Sequence, residues 1–214
     1  MKTVALIPIK FHNQRLPGKN IKPLNGKPLI SYIQETVKKV SGIDNIYVYC
    51  SDERVVDYLL PGIKYLKRPT SLDTDTTKIN EVLLSFARNV DSDLYILVHA
   101  TAPFISADSI QKGLDAVIGG EADSALAVET MQDFLWQDGK PLNYDPSNIP
   151  RTQDLKPIYK ETSGFYIYSK DLITKHNRRV GFKPKLVAVS GFEAIDIDEE
   201  EDFILAETIL KTHH

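Results

Sequence analysis

The chain has 214 residues, of which 42% are hydrophobic and 26% charged, and its formal net charge at pH 7 is −3. This length suits one domain with a full core, and the composition is that of a water-soluble globular protein. The slightly negative net charge argues against nucleic acid as a partner. No segment has the ~20 consecutive apolar residues needed to span a membrane, so no membrane association is expected.

Strand-like and helix-like segments alternate over the first 130 residues. Short apolar runs typical of buried strands are followed by stretches with a helical apolar period. This alternation predicts an α/β fold, a Rossmann-like and mostly parallel sheet flanked by helices. The predicted segments are, in chain order, strand 3–9, helix 29–40, strand 45–50, helix 52–60, strand 63–66, helix 77–89, strand 94–99, helix 106–118 and strand 124–128.

The pattern changes after residue 130, where Asp, Pro, Gly and aromatic residues become more frequent. The stretch FLWQDGKPLNYD predicts a hairpin that turns at Asp138 and Gly139. Strands at 159–168 and 185–189 and a closing helix at 200–211 are expected to follow. We therefore predict a single domain over 1–214 with an excursion at roughly 130–160.

The cysteine content and the start of the chain bear on the compartment. Cys50 is the single cysteine, so no internal disulfide can form, and a reducing cytoplasm is expected. The first apolar run, TVALIPI, is short and no small-residue cleavage site follows it, so no signal peptide is predicted. The terminal His213 and His214 are assigned no role.

A basic loop, KFHNQRLPGKN, follows the first predicted strand. Its cations Lys10, Arg15 and Lys19 would stand where strand ends open into a crevice, a position that suits a triphosphate. The loop is not a Walker A motif, because no Ser or Thr follows either Gly-Lys pair, and it is not G-x-G-x-x-G. The alternative is a solvated loop whose charges only keep the protein soluble.

With RLPGKN and NGKPLI, this opening resembles that of the CMP-acylneuraminate synthetases and of the related 3-deoxy-manno-octulosonate cytidylyltransferases. The resemblance implies a fold of the nucleotide-diphospho-sugar transferase type, with an excursion that helps to form a homodimer. It also implies that Lys10, Arg15, Lys19 and Asn20 bind the triphosphate of CTP. Lys10 stands where these families have Arg.

The segment AIDID carries the second motif. In an extended segment Asp196 and Asp198 would share one face, about 6–7 Å apart, which suits Mg²⁺ that also binds phosphate oxygens. The alternative is that Asp198 caps the next helix, with the following glutamates in its first turn. The resembling family ends in the same D-I-D before a helix, which implies Mg²⁺ on Asp196 and Asp198 and a structural role for Asp202.

Arg68-Pro69, followed by LDTDTT, matches a further family motif. The resemblance implies that Arg68 reaches the nucleotide and that Thr76 or Thr77 contacts its base or ribose. The threonines fit a capping cluster for the next helix equally well.

Two further motifs, HATAPF and RTQDLKPIYKETSGFYIY, concern the acceptor. His99 stands where the family has a Gln near the sugar, although a strand-end His is often only a hydrogen-bonded core residue. Arg151 suits a sugar-acid carboxylate because a guanidinium binds it bidentately. Alternatively, Arg151 forms only a surface ion pair, and the tyrosines of this motif only pack in the core or at a dimer contact. The resemblance implies these sugar-binding residues: His99, Arg151, Gln153, Tyr166 and Phe182.

The resemblance implies transfer of CMP from CTP to a nonulosonic or other 2-keto-3-deoxy sugar acid, with release of pyrophosphate. Lys10, Arg15, Lys19 and Asp198 would carry the catalysis electrostatically, with Mg²⁺ as cofactor. One alternative is a nucleotidyltransferase that uses another nucleotide or a sugar phosphate.

Another alternative is a homologue that binds nucleotide but has lost its activity. The residues that support it, because they depart from the family, are Lys10, Gln14, His99 and Ala102.

Overall fold

The computed structural model describes residues 1–11 and 15–212. Its helices are α1 (Leu29–Val37), α2 (Ile79–Asn89), α3 (Ala107–Ile118), α4 (Lys170–His176) and α5 (Glu200–Thr212). Its strands are β1 (Thr3–Ile9), β2 (Pro23–Leu24), β3 (Lys27–Pro28), β4 (Asn45–Cys50), β5 (Ile63–Lys67), β6 (Leu94–Val98), β7 (Ser124–Met131), β8 (Trp136–Gln137), β9 (Lys140–Pro141), β10 (Ile158–Ser169) and β11 (Pro184–Val189).

Within the described residues, the main sheet has seven strands in the order β11-β7-β10-β6-β1-β4-β5. Strand β10 runs antiparallel to both neighbours, and the other pairings are parallel. The predicted α/β fold class is confirmed. Because the chain leaves β1 towards β4 on one side and returns to β6 on the other, a crevice opens at the carboxyl ends of β1 and β6.

The sequence of β1 is continuously apolar because both faces of this strand are buried in the core. Successive side chains point to opposite faces of a strand. Ala5 and Ile7 pack into a cluster with residues of α1 and α3, whereas Val4 and Leu6 pack into a cluster with residues of α2 and α4. Covered on both faces, β1 is a rigid support for the loop that follows it.

The hairpin predicted at Asp138 and Gly139 is confirmed, with φ of 51° and 75° in the turn between β8 and β9. Residues 52–60 differ from the prediction, because they form a 3₁₀ helix at Glu53–Tyr58. The hairpin β2–β3 and the helix α4 are not predicted by the sequence pattern, because both are too short to show a period. Across the described ranges, no helix is long and apolar enough to cross a membrane.

Candidate active site

Two adjoining cavities open at the carboxyl ends of the central strands. The α2 cavity, ≈ 360 Å³, lies between the loop after β1 and residues 68–82. The β10 cavity, ≈ 550 Å³, lies between the end of β6, the middle of β10 and residues 196–198. They form one cleft, because they share the lining residues Lys10, Lys19, Arg68, Ile79 and Val82.

Asp198 holds two of the predicted cations in the cleft. The Lys19 Nζ lies 2.8 Å from Asp198 Oδ1, and the Arg15 Nη2 lies 2.7 Å from Asp198 Oδ2. Lys19 also donates to the Ile197 carbonyl at 2.8 Å. Burial opposes ionisation of Asp198, but the two cations outweigh it, so the pKa of Asp198 lies below its ordinary value. Asp198 thus holds both side chains in the lining of the α2 cavity.

The remaining predicted residues of the loop hold its shape. Asn20 is buried and donates from Nδ2 to the Lys10 carbonyl at 2.9 Å, so its amide fixes the loop backbone. Lys10 Nζ lies 3.0 Å from Asp75 Oδ1 across the α2 cavity. Gly18, at φ 68°, allows the left-handed turn before Lys19. The departure at Gln14 lies outside the described residues.

Arg68 is buried in the wall shared by the two cavities, where its Nε lies 3.1 Å from Asp73 Oδ1. Thr77 lines the α2 cavity and its hydroxyl lies 2.7 Å from that of Thr74, whereas Thr76 is exposed and outside the lining.

The threonines do not cap α2. Instead, the N–H of Lys78, the residue before α2, donates to the Glu81 carboxylate in the first turn at 2.9 Å.

Asp196 and Asp198 both line the β10 cavity, as their spacing predicts. The segment is irregular rather than a strand, but the fully buried Ile197 between them turns both carboxylates to the same side. Asp202, in the first turn of α5, accepts with Oδ2 from the Asp198 and Glu199 N–H groups just before the helix, at 2.9 Å each. These contacts support a structural role for Asp202, whereas the Asp198 carboxylate is paired with Lys19 and Arg15.

The carboxylate pair fits Mg²⁺. Among the described residues no cluster of three acidic, His or Cys side chains is arranged to hold a metal. Magnesium, however, commonly takes one or two carboxylates with substrate phosphates and water. Asp196 Oδ1 is buried without a hydrogen bond of good geometry, although the Thr101 and Ser163 side chains lie beside the carboxyl, and burial raises the pKa of Asp196. A buried anionic oxygen that is weakly partnered is costly, and a bound cation would relieve it.

His99 follows β6 and lines the β10 cavity. Burial, and then the charges of Arg179 and Lys19, lower the pKa of His99 from 6.5 to about 4. The imidazole is therefore neutral near pH 7.

We expect the low pKa of His99 to make the fold sensitive to acid. Between pH 6.5 and 4 the unfolded chain binds a proton at His99 that the native state does not, so the free energy of unfolding falls as pH falls. His99→Gln should reduce this loss by on the order of 2 kcal/mol between pH 7 and pH 4. Urea unfolding of both proteins measures it, and parallel pH profiles would refute the assignment.

Three predicted acceptor residues, Arg151, Gln153 and Phe182, lie outside the lining of the two cavities. The Arg151 side chain is 72% exposed and pairs with Asp154 at 2.7 and 3.0 Å, so the alternative of a surface ion pair is observed. Gln153 is exposed on the same short turn. Phe182 is 68% exposed and packs edge-on against His176. None of these three side chains lines either cavity.

Tyr166 does line the β10 cavity, together with residues that the motifs do not identify. Arg179 lies over the Tyr166 ring, with Cζ 3.7 Å from the ring centroid. The Tyr166 hydroxyl donates to Glu161 Oε2 at 2.8 Å. Arg179 lies in the loop before β11. The basic sequence NRR at 177–179 is the feature that could have drawn attention to this loop, but it does not indicate that the second arginine faces the cleft.

A family model described as "Cytidylyltransferase" matches residues 4–207. The chain is 28% identical over 240 aligned positions to the 8-amino-3,8-dideoxy-manno-octulosonate cytidylyltransferase of Shewanella frigidimarina, with 94% of this chain and 96% of that protein covered. The protein of the same name from Shewanella oneidensis is 27% identical, with the same coverage.

Two solved structures share the fold. A CMP:2-keto-3-deoxy-manno-octonic acid synthetase complexed with CTP has a TM-score of 0.77 at 19% identity, and all of both chains is covered. A 4-diphosphocytidyl-2C-methyl-D-erythritol synthase from Anaerococcus prevotii has a TM-score of 0.70 at 16% identity, with 98% of this chain and 96% of that one covered. These likenesses extend the match from the sequence to the whole architecture.

Proposed function

The chain belongs to the cytidylyltransferase family, and from that premise we propose that it transfers CMP from CTP to a keto-deoxy octulosonate-type sugar acid, releasing pyrophosphate. The observation that carries the proposal is the ionic cluster of Lys19, Arg15 and Asp198 where the two cavities meet. The names of the Shewanella relatives support the acceptor class. A nonulosonic acid, the other acceptor that the family resemblance implies, stays a prediction.

In the proposed reaction the nucleotide lies in the α2 cavity and the sugar acid in the β10 cavity. The anomeric hydroxyl attacks the α-phosphorus, and the bond to the β-phosphate oxygen breaks. Lys10, Arg15 and Lys19 neutralise the triphosphate and then the departing pyrophosphate, and the buried Arg68 adds a cation between the cavities. Fixed charges of this kind act by orientation and by electrostatic stabilisation.

We propose Mg²⁺ as the cofactor, held by Asp196 and Asp198. When bound, it would neutralise phosphate charge and lower the pKa of the attacking hydroxyl. The support is the buried and weakly partnered Asp196 Oδ1, which lines the same cavity as the Asp198 carboxylate, whose pKa is lowered.

A homodimer and a cytoplasmic location, both expected from the sequence, are retained as proposals. The exposed side chains of Phe134 and Trp136, near the hairpin β8–β9, are consistent with a contact surface. Light scattering that gives the mass of one chain would exclude the dimer, and cell fractionation tests the location.

Pyrophosphate release tests the function. We expect release with CTP far above that with ATP, GTP or UTP, and only with a 2-keto-3-deoxy sugar acid. The acceptors are the octulosonate, its 8-amino derivative, a nonulosonic acid and an aldose phosphate. A chelator should abolish release and added Mg²⁺ restore it. Equal rates with all four nucleotides, or a preference for the aldose phosphate, would contradict the proposal, and CTP binding without release would indicate a homologue that has lost its activity.

A further inference from the structure

Arg179 forms part of the wall of the β10 cavity and lies over the Tyr166 ring, with Cζ 3.7 Å from the ring centroid. Its side chain is 26% exposed. A guanidinium held against an aromatic face has a fixed plane, so its donors point in fixed directions. That geometry suits recognition of a planar anion.

The ionic partner of Arg179 within the protein is weak. Arg179 Nη2 lies 3.7 Å from Glu161 Oε2, beyond hydrogen-bond length. The same oxygen already accepts the Tyr166 hydroxyl at 2.8 Å. Buried charges are normally paired closely, so a loosely paired guanidinium at a cavity wall leaves room for an anionic ligand.

A second polar group of β10 lines the same cavity. Ser163 lies where the pairing of β10 with β7 is irregular, between Glu161 and Tyr166, and its buried hydroxyl lies beside the Asp196 carboxyl without a hydrogen bond of good geometry. His99 at the end of β6 lines the same cavity, and the nearby Arg179 charge, after burial, lowers the pKa of its imidazole. A ligand in this cavity would therefore meet the Arg179 cation and the Ser163 hydroxyl together.

We propose that Arg179, rather than Arg151, binds the acceptor carboxylate and sets the preference for sugar acids. This inference rests on the proposed function. The acceptor carboxylate binds the guanidinium bidentately and replaces the single 3.7 Å contact with Glu161. Glu161 and Tyr166 are positioning residues, because they hold the guanidinium plane.

The test compares Arg179→Gln and Arg179→Lys with the matched control Arg178→Gln. The neighbouring Arg178 lies over Phe182 and donates to the Gly181 carbonyl, and it lines neither cavity. Steady-state kinetics with the octulosonate and its carboxyl-reduced analogue give the preference for the acid. Arg179→Gln should raise KM for the acid about 10- to 100-fold and remove that preference, whereas KM for CTP stays within about twofold.

Arg179→Lys should recover only part of the preference, because an ammonium does not reproduce the bidentate fork. If Arg179→Gln fails to fold, the preference of Arg179→Lys for the acid over its carboxyl-reduced analogue tests the inference instead. Undiminished preference in a folded Arg179 variant, or an equal loss in Arg178→Gln, would overturn the inference while the proposed function stands. A wild type that releases no pyrophosphate with CTP and any sugar acid would overturn both.

Discussion

Asp198→Asn is expected to lower kcat for CMP transfer by at least about 100-fold, the size of effect seen when a preorganised charged contact is removed from an active site. Asp198 holds Lys19 at 2.8 Å and Arg15 at 2.7 Å, so one substitution releases two phosphate-binding cations. It also removes half of the carboxylate pair proposed for Mg²⁺. Pyrophosphate release at saturating CTP and acceptor measures the loss.

The matched control is Glu200→Gln, two residues further along the chain. Glu200 pairs with Lys22 on the surface at 2.6 Å and lines neither cavity, so its loss should leave kcat unchanged. The Asp198 variant should melt near the wild-type temperature, because the hydrogen bonds that Asp202 accepts at the start of α5 come from backbone N–H groups and do not use the Asp198 side chain. Normal melting together with wild-type kcat would show that the ionic cluster has no part in the reaction.

The features that the sequence predicts well depend on local periodicity. The bounds of β1 and β4 are as predicted, because strands covered on both faces appear as uninterrupted apolar runs. The shared orientation of Asp196 and Asp198 follows in the same way, since the apolar residue between them must be buried. For these elements the local pattern of apolar and polar side chains is sufficient to predict the structure.

The acceptor side of the cleft depends instead on the path of the chain. Arg151 and Arg179 are equally basic, and which one reaches the cleft is decided by long-range contacts. The loop before β11 is tied to the start of β7, because Asp123 accepts the Phe182 N–H at 2.6 Å and Ser124 accepts the Gly181 N–H at 2.8 Å. Neither of these two hydrogen bonds can be predicted from the spacing of residues in the sequence. The family motif pointed to Arg151, and only the folded sheet places Arg179 against β10.

Lys19→Met should weaken CTP binding about 10- to 100-fold and CMP binding much less, since a charge-assisted contact is worth roughly 1.5–3 kcal/mol. Lys19 is assigned to the β- and γ-phosphates, which CMP lacks. Its side chain is only 9% exposed, so water screens the interaction little. Arg15→Ala should act in the same direction but less strongly, because the Arg15 side chain is 59% exposed. Calorimetric titration of both nucleotides measures the difference.

The ratio of the two affinities separates a direct contact from a structural effect. Without Lys19, Asp198 keeps one cationic partner and would repel the triphosphate more strongly, which adds to the loss for CTP. A general loosening of the loop would weaken CTP and CMP alike, and that result would contradict the placement at the β/γ end. Lys22→Met is the control: Lys22 lies over the Phe203 ring and pairs with Glu200 outside the cleft, so its loss removes a nearby cation without touching the phosphates. If Lys22→Met weakened CTP as much as Lys19→Met, bulk charge rather than the buried ammonium would account for the binding.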